Sequence, residues 1–191
     1  MNSNWKEAAF SLINSLSSST PTPGGGAACA VSAAMGCALG EMMCGISSES
    51  QYVNMESRIK LKEALPLIKN IRLQLMKNIP ADADAFDTYM KISKDTVMSP
   101  EQRKKAVQAA LKHAAEVPLN TAELSLTGLH FLQQLKNDLS PLIMSDYFAA
   151  ETLLRASIKC SAEIVRINLK YIKDHSFTED ITAKLKEYEN Y

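Results

Sequence analysis

Residues 24–46 read Gly-Gly-Gly-Ala-Ala-Cys-Ala-Val-Ser-Ala-Ala-Met-Gly-Cys-Ala-Leu-Gly-Glu-Met-Met-Cys-Gly-Ile, with Glu41 as the sole charge. The run is roughly membrane-length. Its bulk comes from Ala, Gly, Ser and Cys rather than Leu, Ile and Phe, so it reads as a central bundle helix packed on all sides. Ala28, Ser32, Gly36 and Gly40 recur every four residues. That row has little side-chain bulk and suits close approach by another helix, from the same subunit or from a second one.

The remaining segments point the same way. Ser3 is expected to cap a first helix through Leu16, with Trp5, Ala9, Leu12, Ile13 and Leu16 as its apolar stripe. A third helix is expected from about Met55 to Asn78, kinked at Pro66 and ended by Pro80. A short fourth follows over Ala81 to Ile92. Ser99, Pro100 and Glu101 open a fifth helix, kinked at Pro118 and running to about Lys136. Ser145 is expected to cap a sixth helix to about Lys173, and Thr178 a last one of about a dozen residues. No alternating strand pattern exceeds four residues. The expectation is an all-α bundle of long, Pro-kinked antiparallel helices, one domain over residues 1–191.

Formal net charge is zero, and no long basic stripe exists to meet nucleic acid. The densest basic cluster, Arg103, Lys104 and Lys105, reads as a solvated face. Cys29, Cys37 and Cys44 share one helical face, and with Cys160 they show no metal-type spacing, so buried free thiols are expected. His113 and His175 read as surface residues, and the nine methionines as core filler. The N-terminus lacks the basic and apolar regions of a signal peptide, which points to the cytoplasm and away from a membrane.

Three features could carry chemistry. Pro21-Thr22-Pro23-Gly24-Gly25-Gly26 leads into a helix start. Three glycines let the backbone approach a ligand and take positive φ, and the helix start adds free amide donors. The stretch is neither a Walker loop nor GxGxxG; a tight turn before a crowded helix explains it equally well. Asp82, Asp84 and Asp87 open the next feature. Either they serve helix electrostatics or two of them form a carboxylate pair with separated pKa values. The third is Ser145-Asp146, with Arg166 and Asn168 set in an apolar stretch where polar groups need partners.

In this order the pieces resemble one family. The match runs through Ser19-Thr20-Pro21-Thr22-Pro23-Gly24-Gly25-Gly26-Ala27-Ala28, Ala34-Met35-Gly36-Cys37-Ala38-Leu39-Gly40, Asp82-Ala83-Asp84-Ala85-Phe86, Ala109 to Pro118, Ser145-Asp146 and Val165-Arg166-Ile167-Asn168-Leu169. The resemblance is to formimidoyltetrahydrofolate cyclodeaminases and methenyltetrahydrofolate cyclohydrolases, over roughly residues 5 to 175. It implies an all-α homodimer that handles a tetrahydrofolate one-carbon unit without a metal or redox cofactor.

By the same resemblance Asp82 would move the proton. Pro23, Gly24, Gly25, Gly26, Asp84, Asp146, Arg166 and Asn168 would bind substrate, and Lys104 or Lys105 would meet its glutamate tail. The sequence departs from the family pattern at Pro80, where an acid is common, and at Ile164, where an Asn is common. The competing reading is a non-catalytic helical binding or assembly protein. Nucleotide binding at the glycine loop lacks a P-loop lysine.

Overall fold

The computed structural model describes residues 4–188 and 191. Six α-helices follow in order: α1 (Trp5–Leu16), α2 (Gly25–Ser48), α3 (Met55–Ser93), α4 (Pro100–Leu135), α5 (Met144–Leu169) and α6 (His175–Leu185). Among the described residues there is no strand.

Helices α2 to α5 form an up-down-up-down bundle whose register can be followed contact by contact. Along α2 and α3 the pairs are Glu41 with Arg72, then Ala27 with Asp82, so the two helices run antiparallel. Along α2 and α5, Gly36 meets Leu154, Cys29 meets Ser157 and Gly25 meets Ile164, again antiparallel. Asn78 of α3 bonds Thr121 of α4 at 3.0 Å, and Asn168 of α5 bonds Ala114 of α4. The result is a closed ring of four helices. Its core includes Met43, Leu61, Ile68, Leu75, Leu129, Leu154 and Ile158, all with no exposed surface. Burying side chains of this size is worth roughly 1.5–3 kcal/mol each.

The small-residue row of α2 is used within the subunit. A β-carbon at Gly36 would come within 2.8 Å of Leu154 Cγ and 3.1 Å of the Ala150 carbonyl oxygen; one at Gly40 would come within 2.7 Å of Leu132 Cδ2. Helix α2 therefore packs on α5 at one glycine and on α4 at the other, closer than alanine would permit. It has the length and hydropathy of a membrane span, yet half of that window is buried against its neighbours.

Several boundaries differ from expectation. Pro80 does not end a helix: α3 runs through both Pro66 and Pro80 to Ser93. Proline forfeits one ladder bond, but α3 is fastened on both sides of it, by Asn78 to α4 and by Asp82 to α2. Tertiary anchoring thus overrides the local break. Ser145 caps nothing, because α5 begins at Met144 after a short helical turn over Pro141–Ile143, which Ser140 caps instead. That helix ends at Leu169, short of Lys173.

Helix α6 is capped by Asp174, which accepts from the Phe177 amide, and not by Thr178. The expected cap Ser3 lies outside the described residues. No residue of α1 is buried: Ala9, Leu12 and Leu16 of its stripe are half-buried, while Trp5 and Ile13 are open to solvent, Trp5 64% exposed. Of the methionines, Met43 fills the core while Met35, Met42 and Met55 are exposed. Ser99 does cap α4, in a reciprocal capping box with Gln102.

Candidate functional site

At the N-terminal end of α2 the glycine loop, α3, α4 and α5 enclose a cavity of about 180 Å³. Its loop side is Pro21, Thr22, Gly24, Gly25 and Gly26. Asp82 and Phe86 enter from α3, Ala114 from α4, and Ile164 and Asn168 from α5. The loop is held by its own hydroxyls: Ser18 Oγ and Thr20 Oγ1 are 2.6 Å apart, and Thr20 donates to the Thr22 carbonyl. Thr22 Oγ1 then donates to Asp87 Oδ1 at 3.2 Å, tying the loop to the helix that carries Asp82. The Thr22–Pro23 peptide is cis.

The glycines serve space rather than φ. No described glycine has positive φ, contrary to the expectation for this loop. Gly26 is buried, and a β-carbon there would overlap the Asp82 carboxyl group. The absence of a side chain lets that carboxyl reach the first turn of α2, where the Ala27 amide donates to Asp82 Oδ2 at 3.1 Å. This amide is one of those that a helix start leaves without an internal partner.

Two opposing effects act on Asp82. Burial disfavours its charge, and the Ala27 amide favours it; burial dominates, so the pKa lies above the ordinary aspartate value. A carboxyl group of raised proton affinity in a cleft is suited to giving and taking a proton.

Asn168 is the second polar group whose position is fixed. Its amide nitrogen donates to the Ala114 carbonyl at 2.8 Å, joining α5 to α4 across the cavity. The partner expected for a polar group in this apolar stretch is therefore a backbone carbonyl.

Of the expected site residues, the structure brings together Gly24, Gly25, Gly26, Asp82 and Asn168, with Pro23 in the loop beside them. Asp84 is exposed and does not line the cavity, because two helical positions turn it away from Asp82. Asp146 lies in the first turn of α5, 22 residues from Asn168; at 1.5 Å per residue they are about 33 Å apart. Arg166 pairs with Glu163 and lines a different hollow with Lys159, Tyr188 and Tyr191. Lys104 and Lys105 border a separate groove of about 660 Å³ with Lys112 and Lys173.

Sequence reasoning did not place Phe86 or Ala114 at the site, nor the Thr22–Asp87 bond. Phe86 and Asp87 did lie inside or beside the acidic motif. Among the described residues, no group of three or more His, Cys, Asp or Glu could hold a metal ion.

Comparison with known proteins finds relatives over nearly the whole chain. The family model described as formiminotransferase-cyclodeaminase matches residues 9–187. A methenyltetrahydrofolate cyclohydrolase of Methylorubrum extorquens is 32% identical over 96% of this chain and 88% of its own length. A formimidoyltransferase-cyclodeaminase of Dictyostelium discoideum is 33% identical, over 92% of this chain but only 32% of its own. The crystal structure of a formiminotetrahydrofolate cyclodeaminase from Thermotoga maritima superimposes with a TM-score of 0.84 at 29% identity, covering 94% of this chain and 86% of that one. The chain belongs to the formiminotransferase-cyclodeaminase family.

Proposed function

We propose that this chain is a tetrahydrofolate one-carbon enzyme that closes 5-formimidoyltetrahydrofolate to 5,10-methenyltetrahydrofolate and releases ammonia. The observation that carries the reading is Asp82, a half-buried carboxyl group of raised proton affinity, held by the Ala27 amide beside the glycine loop. Ring closure makes a bond from a folate nitrogen to the one-carbon bridge and breaks the bond from that carbon to the formimidoyl nitrogen. The departing nitrogen must gain a proton to leave as ammonia. A carboxyl group whose burial favours the protonated form can supply it. The chemistry calls for no metal or redox cofactor. The likeness over most of a solved cyclodeaminase chain supports this substrate.

A second reading has its own support. The cyclohydrolase relative matches over 88% of its length, and that reaction opens the methenyl bridge with water. Asp82 in its charged form would then take a proton from the attacking water. Both reactions change the near-ultraviolet absorbance of the methenyl group, so one assay separates them. Formation of the chromophore from 5-formimidoyltetrahydrofolate marks the first; its loss from 5,10-methenyltetrahydrofolate, above the uncatalysed rate, marks the second. If neither changes, the chain is a binding protein and the reading fails.

The enzyme is read as cytoplasmic and as a homodimer. Support for pairing comes from the uncovered apolar residues of α1 and α2, including Trp5, Phe10, Ile13, Met35 and Met42.

A further inference from the structure

Between α2 and α5, in a groove of about 530 Å³ that shares Gly25 and Ile164 with the glycine-loop cavity, two thiols line one apolar surface. Cys29 comes from the second turn of α2 and is buried; Cys160 comes from α5 and is exposed. The two helices are in close contact at this level, because Ser157 Oγ donates to the Cys29 carbonyl at 2.9 Å. Beside Cys160, the Ser161 hydroxyl is fully buried and forms no hydrogen bond of ordinary geometry. It lies beside the Cys29 thiol, which also feels Cys160 and the Asp82 carboxyl group. The other cysteines do not compete: Cys37 is eight residues further along α2, about 12 Å, and packs toward Gly128.

The two thiols differ in character. Burial pushes Cys29 up to about 11, so it is almost entirely protonated at neutral pH and shielded from solvent. Cys160 is open to a small oxidant. One accessible and one protected thiol on facing helices is the arrangement in which the first is oxidised and the second resolves it.

We propose that Cys29 and Cys160 form a dithiol site for peroxides, which convert the pair to an intrachain disulfide that staples the start of α2 to α5. The Cys160 sulfur attacks one peroxide oxygen; the O–O bond breaks, and the leaving hydroxide takes the thiol proton and departs as water. Cys160 is then a sulfenic acid. The Cys29 sulfur attacks the Cys160 sulfur, the S–O bond breaks, and a second water leaves with the Cys29 proton. Two thiols lose two electrons in all, and one peroxide is reduced to two waters. The inference is independent of the folate reading.

The test uses the full chain, reduced, freed of reductant and exposed to hydrogen peroxide. Remaining thiols are then alkylated in denaturant, and the tryptic peptides are sequenced by tandem mass spectrometry, because the one spanning residues 7–58 carries Cys29, Cys37 and Cys44 together. The expected result is loss of two alkylatable thiols, with Cys29 joined to the Cys160 peptide within one chain, Cys37 and Cys44 alkylated, and the link released again by dithiothreitol. Cys160→Ser, at an exposed position, folds as the parent does and gives no cross-link. The proposal is overturned if Cys29 is recovered fully alkylated, whether Cys160 ends as a sulfinic acid or bridged to a second copy.

Discussion

Gly26 of α2 leaves the space that the Asp82 carboxyl group of α3 occupies, and the next residue, Ala27, holds that carboxyl through its amide at 3.1 Å. Two helices that join antiparallel thus place a proton-handling group against a helix start. Gly26→Ala displaces the carboxyl. Helix propensity alone would reward alanine by about 1 kcal/mol, so the substitution tests site geometry against local preference. Gly26→Ala is expected to lower turnover at least about tenfold, the scale of one lost charge-assisted hydrogen bond. Gly45→Ala, where a β-carbon meets nothing within 4 Å, should leave turnover unchanged and raise stability by about 0.5–1 kcal/mol. Steady-state kinetics and thermal melts of the two variants, side by side, decide it.

Asp82 makes the fold pH-sensitive in a definite direction. Its pKa is raised on folding, so its contribution to stability is greatest below the ordinary aspartate value. That contribution is lost as pH rises through the raised value. Above that value the buried charge is a cost. Asp82→Asn should therefore melt above the wild type at pH 7, and the difference should shrink as the pH falls below the usual carboxylate range. A melt series against pH that shows a constant difference contradicts the burial argument.

At Gly36 the packing tolerance is smaller than a methyl group. One of the groups in the way is the Ala150 carbonyl of the α5 backbone, which cannot rotate aside. Gly36→Ala should destabilise the protein by about 1–3 kcal/mol despite the better helix former. Urea denaturation measures this directly; an unchanged midpoint would mean that α2 and α5 are not seated as described.

Asn168→Ala removes the bond from α5 to the Ala114 carbonyl and leaves that acceptor without its partner. The expected loss in kcat/KM is about tenfold, equivalent to roughly 1–2 kcal/mol. Asp146→Asn, at the opposite end of α5, should change it by less than about twofold, as expected away from the reacting groups.

Much of this architecture is legible in the sequence, and the parts that are not have a common cause. The charge-poor helix at Gly25–Ser48 and the Ser99-Pro100 start of α4 follow from local composition and capping chemistry. Pro80 misleads because α3 is held by Asn78 and Asp82 on either side of it, contacts to residues more than 40 positions away. Thr178 is a plausible cap, yet Asp174 reaches the Phe177 amide first.

The site divides along the same line. That Asp82 differs from Asp84 follows from helical spacing, but that Asp82 meets Gly26 depends on how α2 and α3 align. Arg166 and Asp146 belong to the motifs that carry the resemblance; Arg166 lies away from the glycine-loop cavity of its own chain because two helical positions turn it from Asn168 toward Glu163, and Asp146 because it sits at the opposite end of α5.

The most direct test of the central claim is turnover of 5-formimidoyltetrahydrofolate by the wild type, Asp82→Asn and Asp84→Asn, followed by formation of the methenyl chromophore. Asp82→Asn is expected to fold and to lose at least about 100-fold in kcat, as removal of a general acid requires, while Asp84→Asn retains the parental rate. An Asp82→Asn variant that turns over like the parent would contradict the assignment of proton transfer to this carboxyl.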